Sequence, residues 1–579
     1  MSRIRHDPLK SSPVRGAELD PSYGASAHEP PAPRSAWRQL RENADLILVA
    51  SVVAVAFELL VAMRVGYVGL FNDDVTYAIA ARQLAVAHRY DLPVMAGSHL
   101  ILRFPIGFPL LLSWFWRAGG QNLGVVGVWE VVVAALAMAF GLLAYVLLTR
   151  VWGASRLASF LAVTAIAFHP LALKYGSAVM SDLPFAFFGL VALAAIEGMR
   201  GRGEPLRDAG GAPTLGRAAL MTVVASLALA WTILLRYAGV MALAAGFATL
   251  WFDRRRKSAV ALGILTMAWL APWLVWSHLH GPGGYLLDAR RSDAGAAAPL
   301  LLGRGLHWLA AQALPGLLAP LPFLGTLAHT TGSFKPTGAP IDYVGFLVAL
   351  GLTAATVRAA MAHRSRMAGL YALFTVGLAA AWSGAFPTLG WDLEVRLLLP
   401  VAPLLLAFAF DAVQREVRGL SALRKSLLVV ACAGLLAWIV VADVRADSYQ
   451  QAYSRSLAHR MSGLELAGAY LAHIPAKVSV GTPYPLQAYF YAPRRYSQVY
   501  VTPQGLRQAR AAGVKLLFAQ PFYWKGHDYT AQTVHKLLRR HLAQMLFVAS
   551  PHIAVVRLLE PPATRHSRAR RSRESGGTG

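Results

Sequence analysis

The sequence predicts an α-helical polytopic membrane protein of about eleven spans, with helices lying on its outer face and a small C-terminal α/β domain outside the membrane. Three observations predict it. Of 579 residues, 56% are hydrophobic and 15% charged, whereas an ordinary soluble domain is about a quarter charged. Apolar runs recur at the length that crosses about 30 Å of hydrocarbon, roughly 17–25 residues. Arginine-bearing connections alternate with connections that lack such clusters, as the positive-inside rule requires.

Taken in order, residues 1–44 are rich in Pro, Ser, Arg and Ala and read as a disordered basic cytoplasmic tail. The first apolar run begins near Leu46. It is too long and too far along the chain for a cleavable signal and is expected to stay as an anchor. Spans are predicted at 46–65, 123–149, 157–173, 183–199, 218–235, 238–252, 259–277, 343–360, 367–386, 397–413 and 426–443. The connections "TRVWGASR", 199–217, "DRRRK" (253–257), "MAHRSR" (361–366) and "REVRGLSALRK" (415–425) all carry arginine. Placing them inside puts the N-terminus in the cytoplasm and three longer segments outside. Within the membrane module, 45–443, the outer segments are a first loop, 66–122, and a second, 278–342. The stretch "LLGRGLHWLAAQALPGLLAPLPFLG" in the second suggests helices lying in the interface. The third outer segment, 444–562, has a helical pattern from Tyr449 to Ile474, then strand-like runs "KVSVGT", "GVKLLFAQ", "MLFVAS" and "IAVVRLLE" with the helix "TVHKLLRRHL" among them. Residues 563–579 read as a second disordered basic tail.

The formal charge of +26 does not point to nucleic acid, because the arginines sit between apolar runs and in the tails. That arrangement suits anchoring against anionic lipid. Cys432 is the single cysteine, which excludes an intrachain disulfide and a cysteine metal site. No internal repeat of the inverted-transporter kind is evident.

The stretch "FNDDVTYAIAARQL" places Asp73 and Asp74 just beyond the first span. Each ionised Asp costs about 2.5–3.5 kcal/mol at the centre of a bilayer, so the pair belongs outside the hydrocarbon. Asn72, Asp73 or Asp74 could cap the following helix; alternatively, the carboxylates are held beside the membrane for chemistry. His169, before Pro170, reads as a helix-end residue, and Glu58 and Glu130 are the acids that fall within apolar runs.

Asp-Asp-x-x-Tyr (73–77) is followed by Ala80-Ala81-Arg82 and then by "RFPIGFPLLLSW" (103–114). This resembles the first outer loop of GT-C glycosyltransferases, in the group of the protein O-mannosyltransferases, lipid A aminoarabinose transferases and RgtA/B/C/D-like enzymes. Here Asp74 stands where Glu is commoner, and Ile106-Gly107 interrupt the usual Pro-Pro pair. "YGSAVMSDLPFAFFGLVAL" (175–193) is similar to the family's second outer loop, with Asp182 before a span, and "EVRLLLPVAP" (394–403) resembles its Arg-x-x-x-Pro segment.

The resemblance implies a GT-C-like fold in a bacterial-type plasma (inner) membrane. It also implies transfer of a sugar from a polyprenyl-phosphate-linked donor to a hydroxyl of an extracytoplasmic acceptor, which is a glycolipid, polysaccharide or protein. An outer-loop aspartate acts as general base: Asp73 by the motif match, with Asp74 as the alternative and Asp182 as a third catalytic candidate. Arg82, Arg103, Lys174 and Arg396, with Arg236 considered beside them, are candidates to meet the leaving phosphate. No cofactor is required; a divalent metal held by Asp73, Asp74 and Asp182 is compatible with carboxylate chemistry. The rival reading is a transporter or flippase of lipid-linked glycans.

Overall fold

The computed structural model describes residues 43–64, 66–69, 71–94, 104–119, 122–201, 215–280, 298–309, 313–314, 317, 340–385, 396–418, 421, 426, 456, 459, 461, 463–500, 502–520, 523–524, 527–528 and 529–559. Arg103, Cys432, residues 427–443 of the last predicted span, residues 1–42 of the N-terminal tail and the C-terminal tail lie outside them.

The first apolar run forms α1 (Ala44–Ala62), nineteen residues long. Two shorter helices follow in the predicted outer loop, α2 (Asn72–Val86) and α3 (Gly107–Ala118). The next helices are α4 (Val125–Val146), running into a π turn at Leu147–Val151, α5 (Arg156–Ala167), α6 (Pro170–Gly176) and α7 (Asp182–Met199). After them come α8 (Leu215–Leu235), α9 (Val240–Phe252) and α10 (Arg256–His280). The membrane part ends with α11 (Ala298–Trp308), α12 (Pro340–Met361), α13 (Arg366–Ala385) and α14 (Ala402–Arg418). The first ten predicted spans each fall on a helix or helix pair. By length and composition, four of the described helices are long and apolar enough to cross a membrane, or five if the bent α5–α6 pair is one span.

The α5–α6 break has a local cause. Pro170 cannot donate a backbone hydrogen bond and opens α6 at its first turn. His169 caps that turn, its Nδ1 accepting from the Leu171 N–H at 3.2 Å, and the two helices bend by 59°. His169 is therefore a helix-end residue. Residues 298–308 of the predicted second outer loop pack as α11 on α13, where a side chain on Gly305 would overlap the Ala380 carbonyl.

Arginines close the helix ends opposite α2. Arg200, the C-cap of α7, is 5% exposed and pairs with Glu197 at 2.7 Å and with Asp253, the C-cap of α9, at 2.6 Å. Arg366 reaches the other Asp253 oxygen at 2.9 Å. Arg255 donates to the carbonyls of Met199 and Arg200, and Arg364 to those of Val151 and Arg150 at 3.1 and 3.2 Å. Arg255 and Arg364 thus meet carbonyls at the ends of terminating helices.

The C-terminal part carries α15 (Leu464–Ala472), β1 (Val480–Thr482), α16 (Pro485–Tyr491), β2 (Ser497–Gln498), α17 (Pro503–Ala511), β3 (Leu516–Ala519), β4 (Tyr523–Trp524), β5 (His527–Asp528), α18 (Tyr529–Arg539), β6 (Ala543–Ser550) and β7 (Ile553–Leu558). Five strands form one mixed sheet in the order β2-β1-β3-β7-β6. β1 is parallel to β2 and β3, and β7 is antiparallel to β3 and β6. The four predicted strand-like runs coincide with β1, β3, β6 and β7. Phe518, Val555 and Leu464 from this part share one buried apolar cluster with Ile79, Trp116 and Trp129 from α2, α3 and α4.

Candidate active site

Four pieces of chain converge at the start of α2: the α6–α7 turn, the end of α8, a 3-10 turn at Arg396–Leu398, and α2 itself. Asp73 lies in the first turn of α2, and its Oδ2 accepts from Arg396 Nη2 at 2.8 Å. Asp182, the first residue of α7, is 2% exposed. Its Oδ1 pairs with Arg236, the residue after α8, and lies 4.0 Å from Arg396 Nε. Tyr77 and Ser181 share a buried hydroxyl hydrogen bond of 3.0 Å that ties α2 to the residue preceding Asp182. The guanidinium of Arg396 stands over the ring of Tyr175 at 5.6 Å, and Lys174 Nζ stands over Phe71 at 5.6 Å and Tyr175 at 5.7 Å.

Arg396 is the electrostatic centre of this cluster. Burial by itself would lower its basicity, but the carboxylates of Asp182 and Asp73 outweigh that and hold the guanidinium above its ordinary value. It is a permanent cation. Its Nε and Nη1, and Asp182 Oδ2, are buried without a hydrogen-bond partner. Unsatisfied guanidinium donors at a partly dehydrated site suit an incoming anion, because a phosphate offers several oxygens in the matching geometry.

The adjacent aspartates part company. Asp74, 1% exposed, accepts from the backbone N–H groups of Gly69 at 2.9 Å, Phe71 at 3.1 Å and Val75 at 2.6 Å. Its carboxylate shapes the turn that presents Asp73. This is the capping chemistry one of the acids was expected to supply, and it takes Asp74 away from the cluster. The carboxylates of Asp73, Asp74 and Asp182 do not form a ligand set for a cation. Asp73 and Asp182 face arginines and Asp74 faces amides; among the described residues no three His, Cys, Asp or Glu side chains gather as a metal site.

Of the phosphate candidates, Arg396 and Lys174 are in the cluster, with Arg236. Arg82 is not: further along α2, it donates to the Phe490 carbonyl at 3.0 Å and lies over Trp116 at 5.6 Å. Burial lowers its basicity, and it braces α2 against α16. Glu130 accepts from the Gly66 N–H through both oxygens, at 3.1 and 3.2 Å, anchoring the start of the loop. Tyr175 went unrecognised in the sequence, although it opens the segment that carries Asp182.

The segment before Asp73 is also gripped by α16. The Tyr491 hydroxyl accepts from the Val68 N–H at 3.2 Å, Gln487 Nε2 donates to the Val68 carbonyl at 3.5 Å, and Gln83 donates to Tyr489 at 2.9 Å. Gly69 has φ +106°, and a Cβ there would overlap the Gln487 amide, so only glycine lets α16 approach.

No protein-family model and no curated protein matches the chain. Solved structures do resemble it. ArnT from Cupriavidus metallidurans, bound to undecaprenyl phosphate, superposes with a TM-score of 0.51 at 13% identity, covering 90% of this chain and 100% of that one. The fold is that of the GT-C glycosyltransferases. A second GT-C protein, the apo oligosaccharyltransferase of Archaeoglobus fulgidus, matches with a TM-score of 0.50 at 14% identity over 81% of this chain and 69% of its own. At these identities the GT-C likeness concerns the fold.

Proposed function

We propose that the protein is an integral membrane glycosyltransferase that moves a sugar from polyprenyl phosphate to a hydroxyl of an extracytoplasmic acceptor. The observation that carries this reading is the pairing of Asp73 with Arg396, beside Asp182 and Arg236, at the ends of helices in a GT-C fold. Asp73 accepts the proton of the acceptor hydroxyl, and the oxygen so activated bonds to the anomeric carbon. The bond from that carbon to the phosphate oxygen breaks, and the phosphate leaves with the electron pair. Arg396, with Arg236 and Lys174 nearby, meets its charge. A phosphate that engages Arg396 competes with Asp73 for the guanidinium, so donor binding releases the carboxylate for its work. Asp182 holds Arg236 and helps to position the cations.

A transporter of lipid-linked glycans places its functional charges within the spans; here they sit at helix ends. The test supplies the purified protein with polyprenyl-phosphate-linked sugars and with envelope glycolipid, polysaccharide or protein. The expected result is sugar transfer that Asp73→Asn lowers by about 10²–10⁴-fold. Movement of lipid-linked glycan across vesicles without any transfer would overturn the reading.

A further inference from the structure

The far end of α2 borders a cavity of about 630 Å³, and none of its lining residues belongs to the Asp73 cluster. One wall is apolar and aromatic, with Leu234 from the end of α8 and Trp273 and Trp276 from the last turns of α10. The two indoles stack at 5.1 Å, and Tyr90 meets both edge-on at 5.5 and 5.8 Å. The remaining lining brings charge, from Arg89 and Asp91. Two polar atoms of the lining residues are buried without a hydrogen-bond partner: Asp91 Oδ1 and the indole N–H of Trp273, a side chain 7% exposed. An apolar pocket with a few unsatisfied polar groups is the usual form of a ligand site. Stacked tryptophans at the end of a long apolar helix mark the boundary between hydrocarbon and headgroups.

We infer that this cavity holds the acceptor, and that the acceptor is a lipid-anchored glycan. Its hydrocarbon lies against the indole wall, and its sugar hydroxyls bond to Asp91, Arg89 and the Trp273 N–H. The inference rests on the glycosyltransferase reading and narrows it. Along α2, Leu84 of the lining lies about 16 Å from Asp73, while Leu234 of the same lining stands two residues before Arg236 of the cluster. An amphiphile with several sugar units reaches from the tryptophans toward Asp73.

The test reads binding without turnover. A digalactosyl diacylglycerol carrying a diazirine in one acyl chain is photolysed with the purified full-length protein, and the labelled peptides are identified by mass spectrometry. Phosphatidylcholine with the same diazirine serves as the sugar-free control, and undecaprenyl phosphate as competitor. The glycolipid should label segments 84–91 and 269–280 in preference to the control. Asp91→Asn and Trp276→Ala, both monodisperse, should each cut that labelling roughly tenfold, the scale of one lost specific contact. The inference fails if the control labels equally, which would leave annular lipid only, or if both variants label normally. Displacement by undecaprenyl phosphate would give the cavity to the donor, and absence of label there would also end the idea. A protein that binds the glycolipid yet transfers no sugar keeps this site and loses the glycosyltransferase reading instead.

Discussion

Asp74 commits its oxygens to three backbone N–H groups, while its neighbour Asp73 reaches a guanidinium from the far part of the chain. Matched substitutions should therefore give opposite signatures. Asp73→Asn keeps size but removes the proton acceptor, so turnover should fall about 10²–10⁴-fold with folding intact and donor still bound. Asp74→Asn leaves one oxygen to serve several amides. It should lower stability by roughly 1–3 kcal/mol, seen as an earlier unfolding midpoint in detergent, and cost less activity per folded molecule. Arg396→Lys retains charge and loses the planar fork, and titration with undecaprenyl phosphate should show affinity weakened by about tenfold. If Asp74→Asn proved inactive while Asp73→Asn worked normally, the assignment would move by one residue. At this scale the sequence was informative where chemistry needs a rare residue in a short motif: Asp73, Asp182 and Arg396 could be picked out. It could not say which carboxylate of the pair faces the arginine, because that depends on loop residues folding back onto Asp74.

Helix α16 carries the least legible part of the architecture. Its residues Gln487 and Tyr491 bond to Val68 across more than four hundred positions, and no periodicity or motif encodes a pairing between such distant segments. The helices of the apolar runs were legible for the opposite reason: an apolar run of membrane length has few alternatives. Through the bonds to Val68 the C-terminal part is tied to the Asp73 loop. Tyr491→Phe strands the buried Val68 N–H and Gln487→Ala removes its companion, so the double variant should lose transfer activity while undecaprenyl phosphate binding changes little. Undiminished turnover in that variant would show that α16 is not needed to hold the loop. At the opposite helix ends, Asp253→Ala leaves Arg200 and Arg366 short of a buried partner. Breaking such a pair from one side typically costs about 3–5 kcal/mol, and thermal unfolding in detergent should register it without any change in donor affinity.

For the molecule as a whole, the arginine-bearing connections predict an N-terminus inside and the sheet outside. Reporter fusions after positions 257, 365 and 445 should read inside, inside and outside; an inside reading at the third would invert the arrangement of site and sheet. Those arginines have a second employment. Arg255 and Arg364 donate into the carbonyls that end α7 and the π turn after α4. If that orientation holds, the residues that set it are the same residues that finish the helices. The two cannot be edited separately. A variant stripped of these cations to reverse its orientation would also lose its brackets, so misorientation and misfolding would arrive together, and any collection of naturally occurring sequences would carry the imprint of both constraints at one site.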